Sequence, residues 1–448
     1  MHSLWIDLST ARNWKGPPVG IVRTEFMVAR ELLAAGVPGL RFCHYDRERS
    51  EYREIPRPAA EEILQRLETT ADPNDSPSKP WLSALHACRS KLEWATLRGV
   101  GLLPRRLHQP VRTWTAAWRQ IARASAALLR SLPPVRRSRH DSDRPVPFSH
   151  GDGYLSMGLD WDFNDLQVLG AIRRRHSLKV FLMCYDLIPI YQPHFIMPGY
   201  SQKFKEYFRD LLACPDMIFA ISEESQKQLL RYARETDSPI PPTQVVRLGV
   251  TIHPHLHKSI PQLVSRPFIL TVSTVEVRKN HRLLYQAWTR MRSDPDFPDP
   301  PHLVMVGRRG WRVDDLLDEM SKNPDVRDFI HHFENISDEE LEWLYGNCLF
   351  TVFPSFYEGF GLPVLESLAH GKCCISSNTS SLPEAGQGLT QLLDPLDFAA
   401  WYTAIKALVF DEDMRRDNEA QIRAGFTMSS WKDTSEAMYR TIRAMTTE

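Results

Sequence analysis

Several features that would assign the 448-residue chain to a class at once are missing. There is no net charge: 55 Lys and Arg balance 55 Asp and Glu, so the overall charge gives no reason to expect nucleic acid as a partner. The seven cysteines are scattered and odd in number, with no C-x-x-C pair, which excludes a disulfide framework. Cys373 and Cys374 lie in an apolar run and read as buried thiols, so a reducing cytoplasm is the expected compartment. No apolar stretch approaches the ~20 residues of a membrane-spanning helix, and the run in "MHSLWIDLSTARNWKG" is too short for a signal peptide. What is present is an ordinary soluble composition, 42% hydrophobic and 25% charged, at a length that implies two domains.

The order of elements is α/β. "SLWIDLS" predicts a strand, "TARNWKGPPVG" a turn region, and "IVRTEFMVARELLAAG" a helix. The stripe of that helix (Ile21, Phe26, Val28, Leu32, Leu33) ends at Gly36, a C-cap glycine. "LKVFLMCYDLI" and "DMIFAISE" are further strands; "EESQKQLLRYARE" is a helix N-capped by Ser222, and "TQVVRLGV" is a last strand. Residues 251–267, with three prolines and no periodicity, form the crossing between domains. A second strand–loop–helix series follows through "FILTVSTVEVRKNHRLLYQAWTRM", "HLVMVGRRGW", "CLFTVFPS" and "CCISSN". Apolar strands without alternation indicate parallel sheets covered on both faces. The expected architecture is two doubly wound, Rossmann-like halves facing a cleft, over 1–250 and 266–430, with a C-terminal helix, 431–448, packing back on the first. Residues 56–147 read as a helical insertion in the first half. Between Arg98 and His140 it holds ten arginines and no acidic residue.

Chemistry concentrates in "FPSFYEGFGLPVLESLAHGK", 353–372. Gly359, Gly361 and Pro363 interrupt its first half, placing Glu358 on a loop and Glu366 in the first turns of the next helix. Glycine amides and a helix end bind phosphate, while carboxylates accept hydrogen bonds from sugar hydroxyls; the pattern suits a polyhydroxylated anion. Arg278 and Lys279 follow a strand at a helix start, where cations oppose the dipole and a bound diphosphate would explain them.

Together, "STVEVRKNHRLL", "VGRRGW", "ISDEELEWLYGNCLFTVFPSFYEGFGLPVLESLAHGK" and "SNTSSLPEAGQG" resemble the successive signatures of family 4 glycosyltransferases, retaining enzymes of the GT-B fold, over about 266–425. The first half is similar more loosely, through "IDLS", "GIVRTEFMVARELL", "YDLIPIYQPHF" and "DMIFAISEESQKQL", to the branch that builds mannose-containing bacterial surface polysaccharides. The resemblance implies transfer of a hexose, with mannose from GDP-mannose favoured, from a nucleotide-diphosphate sugar to a glycan or lipid-linked acceptor. It implies a catalytic set of Glu358, Asp186, Arg278 and Lys279. Glu358 would face the donor hexose, Glu366 the ribose, and the amides around Gly359, Phe360, Gly361 and Leu362 the phosphates. Ser273 and Gly307 would line the same cleft, Asn335 to Ser337 with Ile336 would flank the base, and Gly20 would approach the phosphates from the first half. The family commonly has His-Asp where this chain has Tyr185-Asp186. His150, Asp152 and Asp160 are candidates for the acceptor side. No permanent cofactor and no metal are expected, because no Asp-x-Asp accompanies the donor signatures and two cations stand ready for the diphosphate. A phosphorylase, an epimerase and a non-catalytic nucleotide-sugar-binding subunit are the competing readings.

"VRTWTAAWRQIARASAALLRSL", 111–132, has one further pattern. On a helix, Arg112, Arg119, Arg123 and Arg130 fall within about 40° of one another. Val111, Trp114, Trp118, Ile121, Leu128, Leu129 and Leu132 take the opposite side. This is the pattern of a helix in an anionic bilayer interface, or of one packed on the first domain. A peripheral position on the inner face of the cytoplasmic membrane is the corresponding expectation.

Overall fold

A computed structural model describes residues 2–69, 144–196, 199–253 and 257–446. The Arg-rich stretch 98–140, with the helix expected at 111–132, lies outside the described residues.

The first lobe is built on β1 (Leu4–Asp7), β2 (Leu40–Asp46), β3 (Glu51–Ile55), β4 (Gly153–Ser156), β5 (Lys179–Cys184), β6 (Met217–Ala220) and β7 (Thr243–Val245). Their order is β3-β2-β1-β4-β5-β6-β7. All pairs are parallel except the β2–β3 hairpin. The second lobe holds β8 (Phe268–Val272), β9 (His302–Val306), β10 (Ile330–Phe333), β11 (Thr351–Phe353), β12 (Cys374–Ser377) and β13 (Gln391–Leu393). They are ordered β10-β9-β8-β11-β12-β13 and are parallel throughout. Each sheet reverses direction once, between β1 and β4 and between β8 and β11. In doubly wound sheets the crevice at such a reversal, beyond the strand C-termini, is where ligands are held.

Local chemistry explains the element ends. The helix Ile21–Ala34 stops at Gly36, φ +62, where the Gly36 and Val37 amides return to the Leu33 and Leu32 carbonyls at 3.1 and 3.4 Å. Ser222 caps the helix Glu223–Glu235 through the Ser225 amide, and Ser337 forms a capping box with Glu340 on the helix Asp338–Asn347. Arg57–Thr69, which the sequence assigns to the start of the insertion, is a helix whose Ala60, Leu64 and Leu67 enter the first core.

One apolar cluster is common to both lobes. It joins Leu4, Phe26 and Leu248 of the first lobe to Phe353, Phe360, Leu365 and Leu382 of the second, and to Trp431, Met438 and Ile442 of the last helix, Trp431–Thr446. Thr434 Oγ1 of that helix donates to the Arg247 carbonyl at 2.8 Å. A Cβ on Gly249 would lie 2.2 Å from the Trp431 nitrogen, so the chain passes itself backbone to backbone where it leaves and rejoins the first lobe.

Candidate functional site

The β8–β11 crevice gathers most of the residues singled out by sequence. β8 runs out through Ser273, β9 through Gly307 and β11 into the loop that bears Glu358. Gly307 has φ +148, and a Cβ there would stand 2.0 Å from the Ser273 carbonyl oxygen, so the two backbones meet only because this residue is glycine. Ser273 Oγ lies 3.2 Å from His281 Nε2. Burial, reinforced by Lys279, drives that imidazole down to about 3 and keeps it neutral.

Arg278 and Lys279 do not open a helix. They occupy a 3₁₀ turn, Val277–Lys279, ended by Asn280 at φ +57, and the helix His281–Arg292 begins beyond it. Carboxylates hold the two cations. Lys279 Nζ lies 2.5 Å from Glu358 Oε1, Arg278 Nη1 2.8 Å from Glu358 Oε2, and Arg278 Nη2 2.7 Å from Glu276 Oε1. The side chains of Arg278, Lys279 and Glu358 are only 16%, 13% and 12% exposed. Burial alone would raise the Glu358 carboxyl, but Lys279 and Arg278 outweigh it and hold it at about 2. Burial also pushes the Lys279 ammonium down, and neighbouring Arg278 adds to this.

The loop Tyr357–Gly361 is fixed from both lobes. The Gly359 carbonyl accepts from Ser222 Oγ at 2.7 Å and Ser225 Oγ at 3.2 Å, both in the first lobe. From its own lobe, Ser380 Oγ accepts the Glu358 amide at 2.8 Å, while Ser381 Oγ donates to the Glu358 and Phe360 carbonyls at 3.0 and 2.9 Å. A Cβ on Gly359 would lie 3.1 Å from Asp186 Oδ2 and 3.1 Å from the Tyr185 carbonyl. Asp186 thus reaches the turn from the end of β5. Burial raises its carboxyl against the pull of Arg278, and its Oδ1 accepts the Ile188 amide at 3.0 Å. Tyr185 points the other way, into the first lobe's core, and donates to the Met157 carbonyl.

Gly361, φ +107, precedes the helix Leu362–Ala369, with partly buried Leu362 first and Pro363 second. Glu366 sits on this helix and is nearly enclosed. Tyr345 Oη donates to its Oε2 at 3.0 Å, and Arg23 of the first lobe donates to Oε1 at 3.1 Å. Gly20, φ +51, heads the helix that carries Arg23 and offers it no side-chain cap. Arg308, next to Gly307, brings its guanidinium against Gly16 in the loop before Gly20. Ile336 is partly buried beside the Ser337 cap, and Asn335 is exposed.

The acceptor-side candidates separate. Asp152 precedes β4, at the opposite end of the sheet from the crevice, and is spent on the Ser3 and Ser149 amides and the Trp5 indole at 2.8, 3.0 and 3.1 Å. His150 is exposed at that same end. Asp160 does lie past the C-terminal end of β4, but it is buried and bonded to Ser156 Oγ at 2.5 Å and Asn164 Nδ2 at 2.6 Å. Sequence reasoning gave no site role to Arg23, Glu276 or Ser225, and read Ser222 only as a helix cap. Ser380 and Ser381 stood inside "SNTSSLPEAGQG" without being assigned a task. Among the described residues no group of three or more His, Cys, Asp or Glu side chains is disposed to hold a metal ion.

Residues 255–423 match the family model described as Glycosyl transferases group 1. The chain is 29% identical over 251 residues to O-antigen chain mannosyltransferase B of Escherichia coli, which covers 53% of this chain and 65% of that protein. It is 25% identical over 243 residues to the serotype-specific mannosyltransferase WbdA of Escherichia coli, covering 50% of this chain and 29% of that one. The chain therefore spans less than two thirds of the length of either relative. Among solved structures, the sucrose-phosphate synthase of Thermosynechococcus elongatus superposes with a TM-score of 0.58 at 16% identity, over 99% of each chain. The fold is GT-B, two Rossmann-like lobes, and residues 255–423 carry the match to the group 1 glycosyltransferases.

Proposed function

We propose that the chain is a retaining hexosyltransferase that moves mannose from GDP-mannose to a glycan or lipid-linked acceptor in surface-polysaccharide synthesis. The observation that carries this reading is the enclosed cluster of Arg278, Lys279 and Glu358 at the β8–β11 reversal, with Asp186 brought up to it from the other lobe. The mannosyltransferase names of the relatives favour the sugar. Arg278 and Lys279 take the diphosphate and stabilise the charge that builds on it as the glycosidic bond breaks. Glu358, kept ionised by both cations, accepts hydrogen bonds from the donor hexose, while Glu366 takes the ribose. The backbone amides at Phe360 and Gly361, on a loop held by four serines, face the phosphates with little freedom left to lose on binding. Asp186 contacts the reacting sugars where the lobes meet. The site is read as lying on the cytoplasmic side; no described helix is long and apolar enough to cross a membrane. Contact of 98–140 with an anionic lipid surface rests on its sequence charge.

The test is an assay with GDP-mannose and UDP-hexoses, with and without a mannan-type acceptor, followed by NMR. The expected result is acceptor-dependent release of GDP with the anomeric configuration retained, undiminished in excess EDTA. Inversion, or activity that vanishes with chelator and returns with manganese, contradicts this account of the site.

A further inference from the structure

We propose that Arg23 is a positioning residue for the nucleoside: it completes the ribose-recognising carboxylate, Glu366, from the opposite lobe, and so ties ribose recognition to closure of the cleft. The inference rests on the reading of Glu366 as the ribose contact.

Arg23 occupies the first turn of the helix Ile21–Ala34, whose N-cap is Gly20 with no capping side chain. A cation there opposes the helix dipole, so its place needs a partner off the helix. That partner is Glu366, 343 positions away in sequence, at 3.1 Å and 11% exposed against 29% for Arg23. The second oxygen of Glu366 is held from its own side. Tyr345 is almost fully buried, its phenol pushed well up by burial and then by Glu366, so it stays protonated and donates. The Tyr345 ring stacks on His370 with centroids 4.7 Å apart. His370 in turn lies 2.8 Å from Glu342 Oε2 and 2.7 Å from the Glu366 carbonyl.

A carboxylate offers about four acceptor positions. Arg23 takes one on Oε1 and Tyr345 one on Oε2, which leaves one on each oxygen in a fixed plane. That is the arrangement a vicinal diol requires, since its two hydroxyls donate side by side. Without Arg23 the carboxylate keeps a single anchor and rotates. The second lobe alone then presents the diol with a loose acceptor; both lobes together present an oriented one.

The experiment is calorimetry on the full chain with GDP and 2′,3′-dideoxy-GDP, and with UDP and its dideoxy analogue in parallel. Wild type, Arg23→Met, Arg23→Lys and Glu366→Gln are compared, with thermal melts to verify folding. Arg23→Met is expected to weaken the ribonucleotide about 10-fold and leave the dideoxy compound unchanged, with partial rescue by Arg23→Lys. Glu366→Gln should erase the same discrimination. Equal weakening of both compounds by Arg23→Met would place the guanidinium on the phosphates instead, and no change would make it a surface pair; either result overturns the proposal. If wild type does not distinguish the two compounds, or Glu366→Gln changes nothing, the ribose reading of Glu366 fails and takes this proposal with it. Failure of every nucleotide to bind refutes the donor reading itself.

Discussion

The two sheets share a winding order, and each has a crevice at its reversal, yet the crevices are filled in opposite ways. In the second lobe, Glu358 is buried with two cations, and their attraction overcomes the cost of desolvation. In the first lobe, Asp7, Glu25 and Asp160 crowd the end of β1 and β4 with hydroxyls, an amide and backbone N–H groups around them. Tyr154 Oη reaches Asp7 at 3.0 Å, the Ala11 amide reaches Glu25 at 2.7 Å, and Ser156 and Asn164 hold Asp160. Burial wins there. It lifts Asp7 to about 6 and Asp160 to about 7, and Glu25 well above its usual range. A Cβ on Gly158 would lie 2.1 Å from both Glu25 Oε2 and Thr10 Oγ1, so the first crevice is closed by the lobe's own side chains. A common winding supplies two places for a ligand, and the side chains decide which one is left charged and open to chemistry.

The largest effect that would break this contrast is on catalysis. Glu358→Ala should lower transfer by about 1,000-fold while GDP affinity falls less than about 10-fold, because the lost contacts belong to the sugar. Arg278→Ala and Lys279→Ala should each weaken GDP by about 10- to 100-fold in calorimetry, since phosphate contacts go with them. Unchanged affinity in both cation variants would remove the diphosphate from this crevice.

Next in size is backbone closure. Gly307→Ala puts a methyl group into the Ser273 carbonyl and should destabilise the chain by about 3 kcal/mol, measured by urea unfolding. Gly20→Ala meets nothing within 4 Å and should cost less, about 1–2 kcal/mol, all of it backbone strain at φ +51 and ψ −121.

The crevices should also respond to pH with opposite signs. Asp160 moves from 3.8 up to about 7, so its contribution to stability is full below pH 3.8 and is lost as pH rises through 7. Glu358 moves from 4.5 down to about 2, so its contribution is full above pH 4.5 and is lost as pH falls through 2. Asp160→Asn should therefore stabilise at pH 8, by about 2 kcal/mol after repacking, and do little at pH 4. A thermal-melt gain of the same size at both pH values would show that burial does not protonate the first crevice. The smallest effect is at the rim of the second: Ser337→Ala removes a capping box and should cost about 1 kcal/mol in urea unfolding.

Where apolar runs are continuous, the fold is legible in sequence. "KVFLMC" and "HLVMV" are strands because a doubly covered sheet leaves them no polar face. β10 carries His331 and His332 at a sheet edge, and β13 exposes Gln391 and Leu392 at the other, so neither announces itself. The site divides along the same line. Glu358 and Glu366 were readable because glycines and a proline between them fix loop and helix. Arg23 was not, because its significance lies in a partner 343 residues distant that no local spacing reveals. For Arg278 and Lys279 the resemblance stands but the helix-start argument does not: they occupy a turn before the helix, and their partners are Glu276 and Glu358. Asp152 looked available because a loop carboxylate gives no hint in sequence that three N–H groups already claim it.

The backbone passage at Gly249 and Trp431 sets the mechanics of the whole molecule. Val250 donates to the Ser429 carbonyl at 2.9 Å beside it, so the outgoing and returning chains are bonded as well as touching. Two tethers joined at one point act as a pin. They resist translation of one lobe past the other and leave rotation about that point as the soft motion. Displacement then grows with distance from the pin. Elsewhere the lobes also meet through isolated contacts, among them the stacked Phe195 and Phe356 rings and the Arg312 bond to the His194 carbonyl. A rotation about the pin would part such single contacts before it disturbed the apolar cluster around Trp431.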